Sequence, residues 1–153
     1  MIKTLLLLSA AFCALAFVGC TTTPTPVTSQ QQLIANGVDD AISIGLVPVL
    51  VKNANYIGAA NALADALGAF SGATFSPADT DAMIAAAKAK GYAFSPTDEK
   101  AIVATINAAW SRYAKNYQSM ANNAIRPDVK LFIGAVADGI HNAAAQAKAT
   151  QGS

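Results

Sequence analysis

Two short segments of this chain share the pattern Phe-Ser-Pro-x-Asp, at residues 75–79 and at residues 94–98. Each has the parts of a helix start: serine is a favoured N-cap, proline fits the first helical position, and aspartate two positions later completes a capping box. An acidic residue in the first turn also interacts favourably with the helix dipole. The pattern therefore predicts that helices begin at residues 77 and 96. Two copies are too few for a repeat protein, so we interpret them as convergent capping or a small duplication.

The rest of the sequence also has helical rather than strand-like periodicity. Apolar residues recur at spacings of three and four between glycines and prolines, and no convincing alternation predicts a strand. Five helices are predicted, at residues 30–46, 52–67, 77–90, 96–122 and from residue 126 onwards. The predicted fold class is therefore all-α: a bundle of about five helices, residues 30–148, after an N-terminal signal helix and a Thr/Pro tether.

Single residues predict where several of these helices begin and end. Ser29 is expected to be the N-cap of the first helix, and Pro48 is expected to break or kink that helix near Val47. Gly68 is expected to follow the second helix in the left-handed conformation, and Gly91 to end the third. Gly134 and Gly139 of the last helix are expected to let another helix approach closely.

Two segments are interpreted from their composition. Residues 41–51 are uncharged and mostly apolar, which predicts either a fully buried helix junction or a surface that contacts a membrane or a partner. From His141 onwards the chain is mostly Ala, Gln and Lys, so we expect fraying there and a disordered tail at residues 149–153.

The first nineteen residues have the composition of an export signal. Lys3 gives the start a positive charge, residues 4–18 are almost wholly apolar, and Gly19 is a small residue at the end of the apolar run. This arrangement predicts a secretory signal peptide at residues 1–19. The apolar run is short for a spanning helix, which needs about 20 residues. An uncleaved membrane helix and cleavage at a different site are the alternatives.

The segment Phe17-Val18-Gly19-Cys20 resembles the lipobox of bacterial lipoproteins, with Phe17 where that family usually has leucine. The resemblance covers residues 1–20 only. It implies that a diacylglycerol is joined to the Cys20 thiol, that the signal is cleaved before Cys20, and that the new amine is acylated. Because Thr21 is not aspartate, it also implies sorting to the outer membrane in a double-membrane cell, at its periplasmic face or the cell surface. Residues 20–29 are then the lipid anchor and a Thr/Pro-rich tether that favours an extended conformation.

The composition of the mature chain excludes several kinds of partner. Removal of residues 1–19 from the 153-residue chain leaves 134 residues, with nine basic and nine acidic side chains. This balance predicts no binding to nucleic acid. Cys13 leaves with the signal and Cys20 is expected to be acylated, so the mature chain has no disulfide and no free thiol. With a single histidine we expect no metal site of the zinc type, and no cofactor.

An aromatic face on the fourth predicted helix is the candidate ligand or partner surface. Trp110, Tyr113 and Tyr117 lie at helical spacing, and aromatic side chains with polar ends suit a binding groove. The alternative is that the same spacing places the three side chains in the core. A small apolar ligand bound between the helices would require a cavity beside Trp110 and Tyr113.

Three other groups have the residue types of catalytic or metal sites. Residues 79–81, Asp-Thr-Asp, resemble the start of a calcium loop but lack its later glycine and glutamate, so we interpret Asp79 as a helix cap. Asp98 and Glu99 are adjacent on a helix and are expected to be solvated charges of its first turn. His141 is expected to be exposed and inert.

The chain contains no nucleophile elbow, phosphate loop, dinucleotide fingerprint or zinc-protease motif. The leading hypothesis is therefore a non-enzymatic lipoprotein of the cell envelope that binds an envelope protein partner or has a structural role. The alternatives are a carrier or sensor of a small apolar ligand, an exclusion or lysis lipoprotein of the phage or plasmid type, and an enzyme that uses carboxylates alone.

Overall fold

The computed structural model describes residues 29–120 and 128–152. The predicted signal peptide, Cys20 and the tether up to residue 28 lie outside these residues. Five helices are present: α1 Ser29–Leu50, α2 Asn55–Gly68, α3 Pro77–Ala89, α4 Pro96–Met120 and α5 Val129–Gln151. They confirm the predicted all-α bundle, and the described ranges contain no strand.

The last helix lies at the centre of the packing. α5 packs most extensively against α1 and α2, α1 also packs against α4, and α3 packs only against α2 and α4. One face of α5 is wholly apolar and buried, which removes its surface from water and drives the packing. The buried residues of this face include Phe132, Ile133, Val136, Gly139, Ile140, Ala143, Ala144 and Ala147.

The end of the first helix differs from the prediction. Of the predicted break or kink near Val47, the break is wrong, because α1 continues through Pro48 to Leu50. A proline removes the hydrogen bond to the carbonyl four residues earlier, which here belongs to Ile44. Ile44 lies on the solvent side of α1, with 75% of its surface exposed, so water can replace the missing donor.

The glycines at two helix ends behave differently. Gly91 follows α3, which ends there as predicted, and its φ of 86° is the left-handed conformation that glycine adopts after a helix. Gly68 is instead the last residue of α2, and Ala69 follows it with φ of −83°. The Ala69 N–H donates to the Asp65 carbonyl over 3.1 Å, so the helix ends without a left-handed residue.

The C-terminal part of α5 is helical to Gln151, so the fraying predicted from His141 is wrong and residues 149–151 of the predicted tail are ordered in a helix. Its alanines are small enough to pack closely against the neighbouring helices. Gln146 Nε2 donates to Ser43 Oγ over 2.9 Å, and Gln151 Nε2 donates to the Leu50 carbonyl over 3.2 Å. The second bond satisfies a carbonyl at the C-terminal end of α1.

Close approach of α1 and α5 depends on one of the two glycines singled out in the sequence. A Cβ atom at Gly139 would lie 2.7 Å from the Asp39 carbonyl oxygen and 2.8 Å from Ile42 Cβ. Gly139 therefore lets the two helices touch backbone to backbone. Gly134 has no atom within 4 Å of the same position and is exposed, so the prediction of a close approach is wrong there.

Candidate functional site

The three aromatic residues predicted as a ligand or partner face form part of the core. Tyr113 and Tyr117 are only 1% and 3% exposed, and Trp110 is partly buried. The Phe132 ring lies 4.9 Å from the ring of Trp110 and 5.3 Å from that of Tyr113. Phe75 packs against Trp110 at 5.2 Å and against Phe132 at 5.2 Å. The structure therefore favours the second interpretation of this face, core packing, because aromatic rings occupy the space beside Trp110 and Tyr113 where an apolar ligand would have to bind.

The hydroxyl groups of this cluster join the helices. Tyr113 donates its hydroxyl proton to the Asp128 carbonyl over 2.9 Å, immediately before α5 begins. Gln31 Nε2 of α1 donates to the Tyr117 hydroxyl. Burial raises the pKa of Tyr113, and the nearby carboxylate of Asp128 raises it further, so Tyr113 remains a hydrogen-bond donor. The polar ends of the tyrosines therefore fix α4 against α1 and α5.

A buried carboxylate lies where the sequence predicted a solvated charge. Asp98 is only 7% exposed, so that interpretation is wrong. Its Oδ1 lies 2.6 Å from Lys52 Nζ. Its Oδ2 accepts a 3.1 Å bond from the Tyr56 hydroxyl and a 2.7 Å bond from Ser95 Oγ. The adjacent Glu99 forms an ion pair with Lys88 at the end of α3.

The two matched helix starts consequently differ in structure. At α3 the Ser76 N–H donates to Asp79 Oδ2 over 2.7 Å, which confirms the predicted capping box. At α4 the equivalent Ser95 N–H donates instead to the Tyr56 hydroxyl over 3.0 Å, and Tyr56 donates on to Asp98. A tyrosine of α2 thus replaces the direct contact, because its hydroxyl both accepts and donates.

The arrangement around Asp98 suits a structural role. Both of its oxygens accept hydrogen bonds from charged or polar groups, and these come from the α1–α2 loop, from α2 and from the start of α4. The bonds from Lys52, Ser95 and Tyr56 hold the pKa of Asp98 below its ordinary value of 3.8, against the opposing effect of burial. An ionised carboxylate whose two oxygens both accept hydrogen bonds is a weak base, and here it connects the helices that supply its donors.

We expect this network to make stability depend on pH in the acid range. The pKa of Asp98 is lower in the folded than in the unfolded chain, so its stabilising contribution is complete above the ordinary value of 3.8 and is lost as the pH falls through the folded pKa. Urea unfolding of the wild type and Asp98→Asn between pH 7 and pH 2 measures this contribution. The difference between their midpoints should shrink below pH 3.8. Parallel loss of stability in both proteins would contradict the assignment.

The remaining chemical candidates have structural explanations. Asp79 caps α3, and Thr80 is fully buried and donates to Asn107 Oδ1 over 2.9 Å, so the predicted interpretation of a cap holds for this segment. His141 is exposed, with Nδ1 3.2 Å from Asn61 Oδ1. Within the two described ranges, no three His, Cys, Asp or Glu side chains are grouped so that they could hold a metal ion.

Two grooves flank α1. The larger, the α1–α5 groove, has a volume of about 600 Å³, and its lining combines apolar residues such as Ala35 and Ala135 with the charged Asp39, Lys130 and Asp138. The smaller, the α1–α4 groove, has a volume of about 280 Å³ and is mostly apolar. Its lining residues include Leu33, Ile34, Gly37, Ala41, Arg112 and Tyr113. Trp110 lines neither groove, so neither is the cavity that the carrier hypothesis requires.

The side of α1 that faces away from the core is also apolar. Its exposed residues, three and four positions apart, form what we term the outer face of α1: Leu33, Gly37, Asp40, Ile44 and Pro48. Leu33 and Ile44 are 71% and 75% exposed. Residues 41–51 are therefore divided, because Ile42, Leu46 and Leu50 enter the core while Ile44 and Pro48 face outwards.

The apolar character of α1 is sufficient for a membrane helix by length and composition alone. An 18-residue window reaches a mean hydropathy of 1.5, and among the described residues only this helix reaches that level. Core helices of soluble proteins can reach the same level, and 39% of the window is buried within the bundle. The sequence predicted a possible contact surface only within residues 41–51, so the part of the outer face before residue 41 was missed. The pattern that could have shown the whole face is the pair Leu33 and Ile44, three helical turns apart on the side of α1 that faces away from the core.

Comparison with known proteins identifies no relative. The chain matches no protein-family model, and no curated protein or solved structure shows significant similarity to it. The functional interpretation therefore rests on the sequence and on the geometry described above.

Proposed function

We propose that this chain is an exported bacterial lipoprotein whose helical domain works at a membrane surface by binding an envelope protein or by a structural role, without catalysis. The observation that carries the proposal is the lipobox-like segment that ends at Cys20, after an apolar run and a single positive charge. An acyl group contributes about 0.8 kcal/mol for each buried methylene, and two or more chains give stable anchoring. The proposed location is the outer membrane of a double-membrane cell.

The tether limits how far the domain can move from the bilayer. Nine peptide units separate Cys20 from Ser29, where α1 begins. At roughly 3.1–3.6 Å per residue, an extended chain of this length spans about 30 Å. The folded domain would therefore remain within about its own diameter of the membrane, where it can contact other envelope proteins and lipids.

The α1–α5 groove is the surface that best suits a protein partner. It is the larger of the two grooves beside α1, and it combines an apolar lining with charges of both signs on Asp39, Lys130 and Asp138. Interfaces of transient complexes have such a mixed composition, with an apolar centre and a polar rim. This geometry supports an interaction role better than a catalytic one, because the described carboxylate network at Asp98 is already fully bonded.

We expect Cys20→Ser to abolish incorporation of labelled palmitate in growing bacteria, because the mature chain has no other thiol. Cys13→Ser is the matched control: it removes the other cysteine, lies in the segment to be cleaved, and should retain the full label. Mass spectrometry of the mature wild type should find an acylated N-terminus at residue 20.

An unmodified N-terminus at another residue, or label retained by Cys20→Ser, would overturn the anchor. The interaction role is tested on the same strains by crosslinking intact cells and purifying the protein. Recovery of one specific envelope protein under several conditions supports that role, whereas recovery of lipid and abundant neighbours alone contradicts it.

A further inference from the structure

We propose that the outer face of α1 docks onto the bilayer in which Cys20 is anchored, so that α1 lies flat at the lipid–water interface. This inference rests on the proposed function, because the anchor brings the face to the membrane. The occupant of the face is thus a phospholipid surface, contacted by Leu33 and Ile44.

The first support is an excess of apolar surface on α1. Its mean hydropathy of 1.5 reaches the level of membrane helices, yet only 39% of the same window is buried by the bundle. Leu33 and Ile44 are 71% and 75% exposed, and of the large hydrophobic residues whose exposure is described only Tyr92 joins them, at 41%. The bundle therefore leaves uncovered two large side chains on the same side of one helix.

The second support is the position of the tether. The N-terminal segment outside the described residues ends at residue 28, and Leu33 lies one helical turn after Ser29. The nine peptide units from Cys20 bring the start of α1 within about 30 Å of the bilayer in every conformation. Docking of the face is then an intramolecular event with a high effective concentration, so a contact too weak to hold a free domain is sufficient.

The outer face carries little charge, and a cation lies at its edge. Asp40 is the only charged residue on this face, and α1 contains no lysine or arginine. Beside it, the α1–α4 groove connects Leu33 and Gly37 to the exposed Arg112 of α4. Arg112 forms no ion pair with another described residue. A long guanidinium side chain at the edge of an apolar face can reach lipid phosphates while its stem remains on apolar surface.

The packing of α1 favours docking over insertion across the membrane. Its opposite side contributes Val38, Ile42 and Leu46 to the core. The backbone contact at Gly139 also fixes α1 against α5. A spanning α1 would remove these residues from the bundle, whereas docking uses only the side chains that the bundle leaves exposed.

The test uses the mature, acylated protein reconstituted in vesicles of phosphatidylethanolamine and phosphatidylglycerol. Ile44→Cys places a single reactive thiol on the outer face, because the only other mature cysteine is Cys20, and an environment-sensitive fluorophore is attached to it. Ala85→Cys is the matched control. Ala85 is exposed and lies on α3, a helix that does not contact α1. We expect the fluorophore at residue 44 to emit at a shorter wavelength than the one at residue 85. Nitroxides near the lipid headgroup should quench residue 44 more than aqueous quenchers do, and aqueous quenchers should quench residue 85 more than the nitroxides do.

A second substitution tests the apolar contact. Leu33→Asp in the labelled Ile44→Cys protein should lower the ratio of docked to undocked protein roughly tenfold or more, because a mostly exposed leucine loses its lipid contact. Ala85→Asp, away from the face, should leave the ratio unchanged. Since Leu33 is exposed, the thermal melt of the domain should not change.

The outcomes separate this inference from the proposed function. An acylated protein whose residue 44 stays in water overturns the docking and leaves the anchor intact, and a chain with no acyl group on Cys20 overturns both. Stronger quenching by nitroxides deep in the acyl region than near the headgroup means that α1 crosses the bilayer, which contradicts docking. Disulfide formation between two copies of the unlabelled Ile44→Cys protein, together with no lipid quenching of the labelled protein, identifies a second copy as the occupant and also overturns the proposal.

Discussion

Replacement of Phe132 by alanine is expected to lower the free energy of unfolding by about 3–5 kcal/mol. Phe132 has no exposed surface, and its ring lies 4.9–5.3 Å from the rings of Phe75, Trp110 and Tyr113. The substitution removes the apolar transfer energy of the side chain and leaves a cavity between α4 and α5 that the surrounding rings fill only in part. A domain of this size has a total stability of roughly 5–15 kcal/mol, so the loss would be a large share of it.

Urea unfolding followed by circular dichroism measures this loss. Phe70→Ala is the matched control, because Phe70 is partly buried and contacts only Phe75 of the cluster, at 6.0 Å. It should cost roughly 1–2 kcal/mol, in proportion to the smaller apolar area that it buries. Equal losses for the two variants would mean that the ring cluster is not the centre of the core. If Phe132→Ala does not fold at all, Phe132→Leu, which keeps more of the volume, should restore a measurable transition.

The second large effect is expected where α5 touches α1. Gly139→Ala should destabilise the domain by about 1–3 kcal/mol, the usual cost of overpacking. Its Cβ would meet a backbone oxygen, that of Asp39, at 2.7 Å, and the Cβ of Ile42 at 2.8 Å. Neither atom is the end of a flexible side chain, so the two helices would have to move apart.

Gly134→Ala on the same helix is the control. This glycine is helical and exposed, with no atom within 4 Å of the added carbon, so the change should stabilise the domain by roughly 0.5–1 kcal/mol. The opposite signs are the informative result, and thermal unfolding of both variants under one condition tests it. Destabilisation by both would show that helix propensity at these glycines has been misjudged.

Local sequence signals predicted most of the helix starts because a start is determined by neighbouring residues. Ser76 and Asp79 bond to each other, so this cap can be read without the fold. At α5 the cap is Asp128, whose Oδ1 accepts the N–H of Leu131, and the helix begins at Val129 rather than at the predicted residue 126. Helix ends were less predictable. Pro48 does not stop α1, because its lost bond falls on the solvent side, and that side is known only once the bundle is assembled.

The length of α5 was underestimated for a related reason. Ala143, Ala144 and Ala147 are buried at helical spacing, but alanine is a weak hydrophobic signal, because its small side chain buries little apolar surface. What holds this part of the helix is contact with other elements, such as the bond from Gln151 to the end of α1, and no local pattern contains it.

The candidate site could be predicted only in part. Asp98 bonds to Tyr56, which is 42 positions away in the sequence, and to Lys52, which is 46 positions away. The burial of Asp98 therefore depends on tertiary contacts that a helix-start pattern cannot show. The aromatic face on α4 was correctly recognised as a stripe, but whether such a stripe faces a ligand or the core depends on what packs against it. The signal segment differs from the Asp98 network and the aromatic face, because its prediction rests on the sequence of residues 1–20 alone and remains a prediction.

The packing of α5 against both α1 and α2 has a consequence for the export that we propose for this chain. A polypeptide that crosses a translocation channel from its N-terminus must stay unfolded until it has passed through. Here α1 and α2 pack mainly against α5, a helix of 23 residues, and only slightly against each other, so most of their packing requires that helix. In a chain exported as we propose, this topology would delay collapse on the cytoplasmic side, because α1 and α2 gain their main packing surface only when α5 has been delivered.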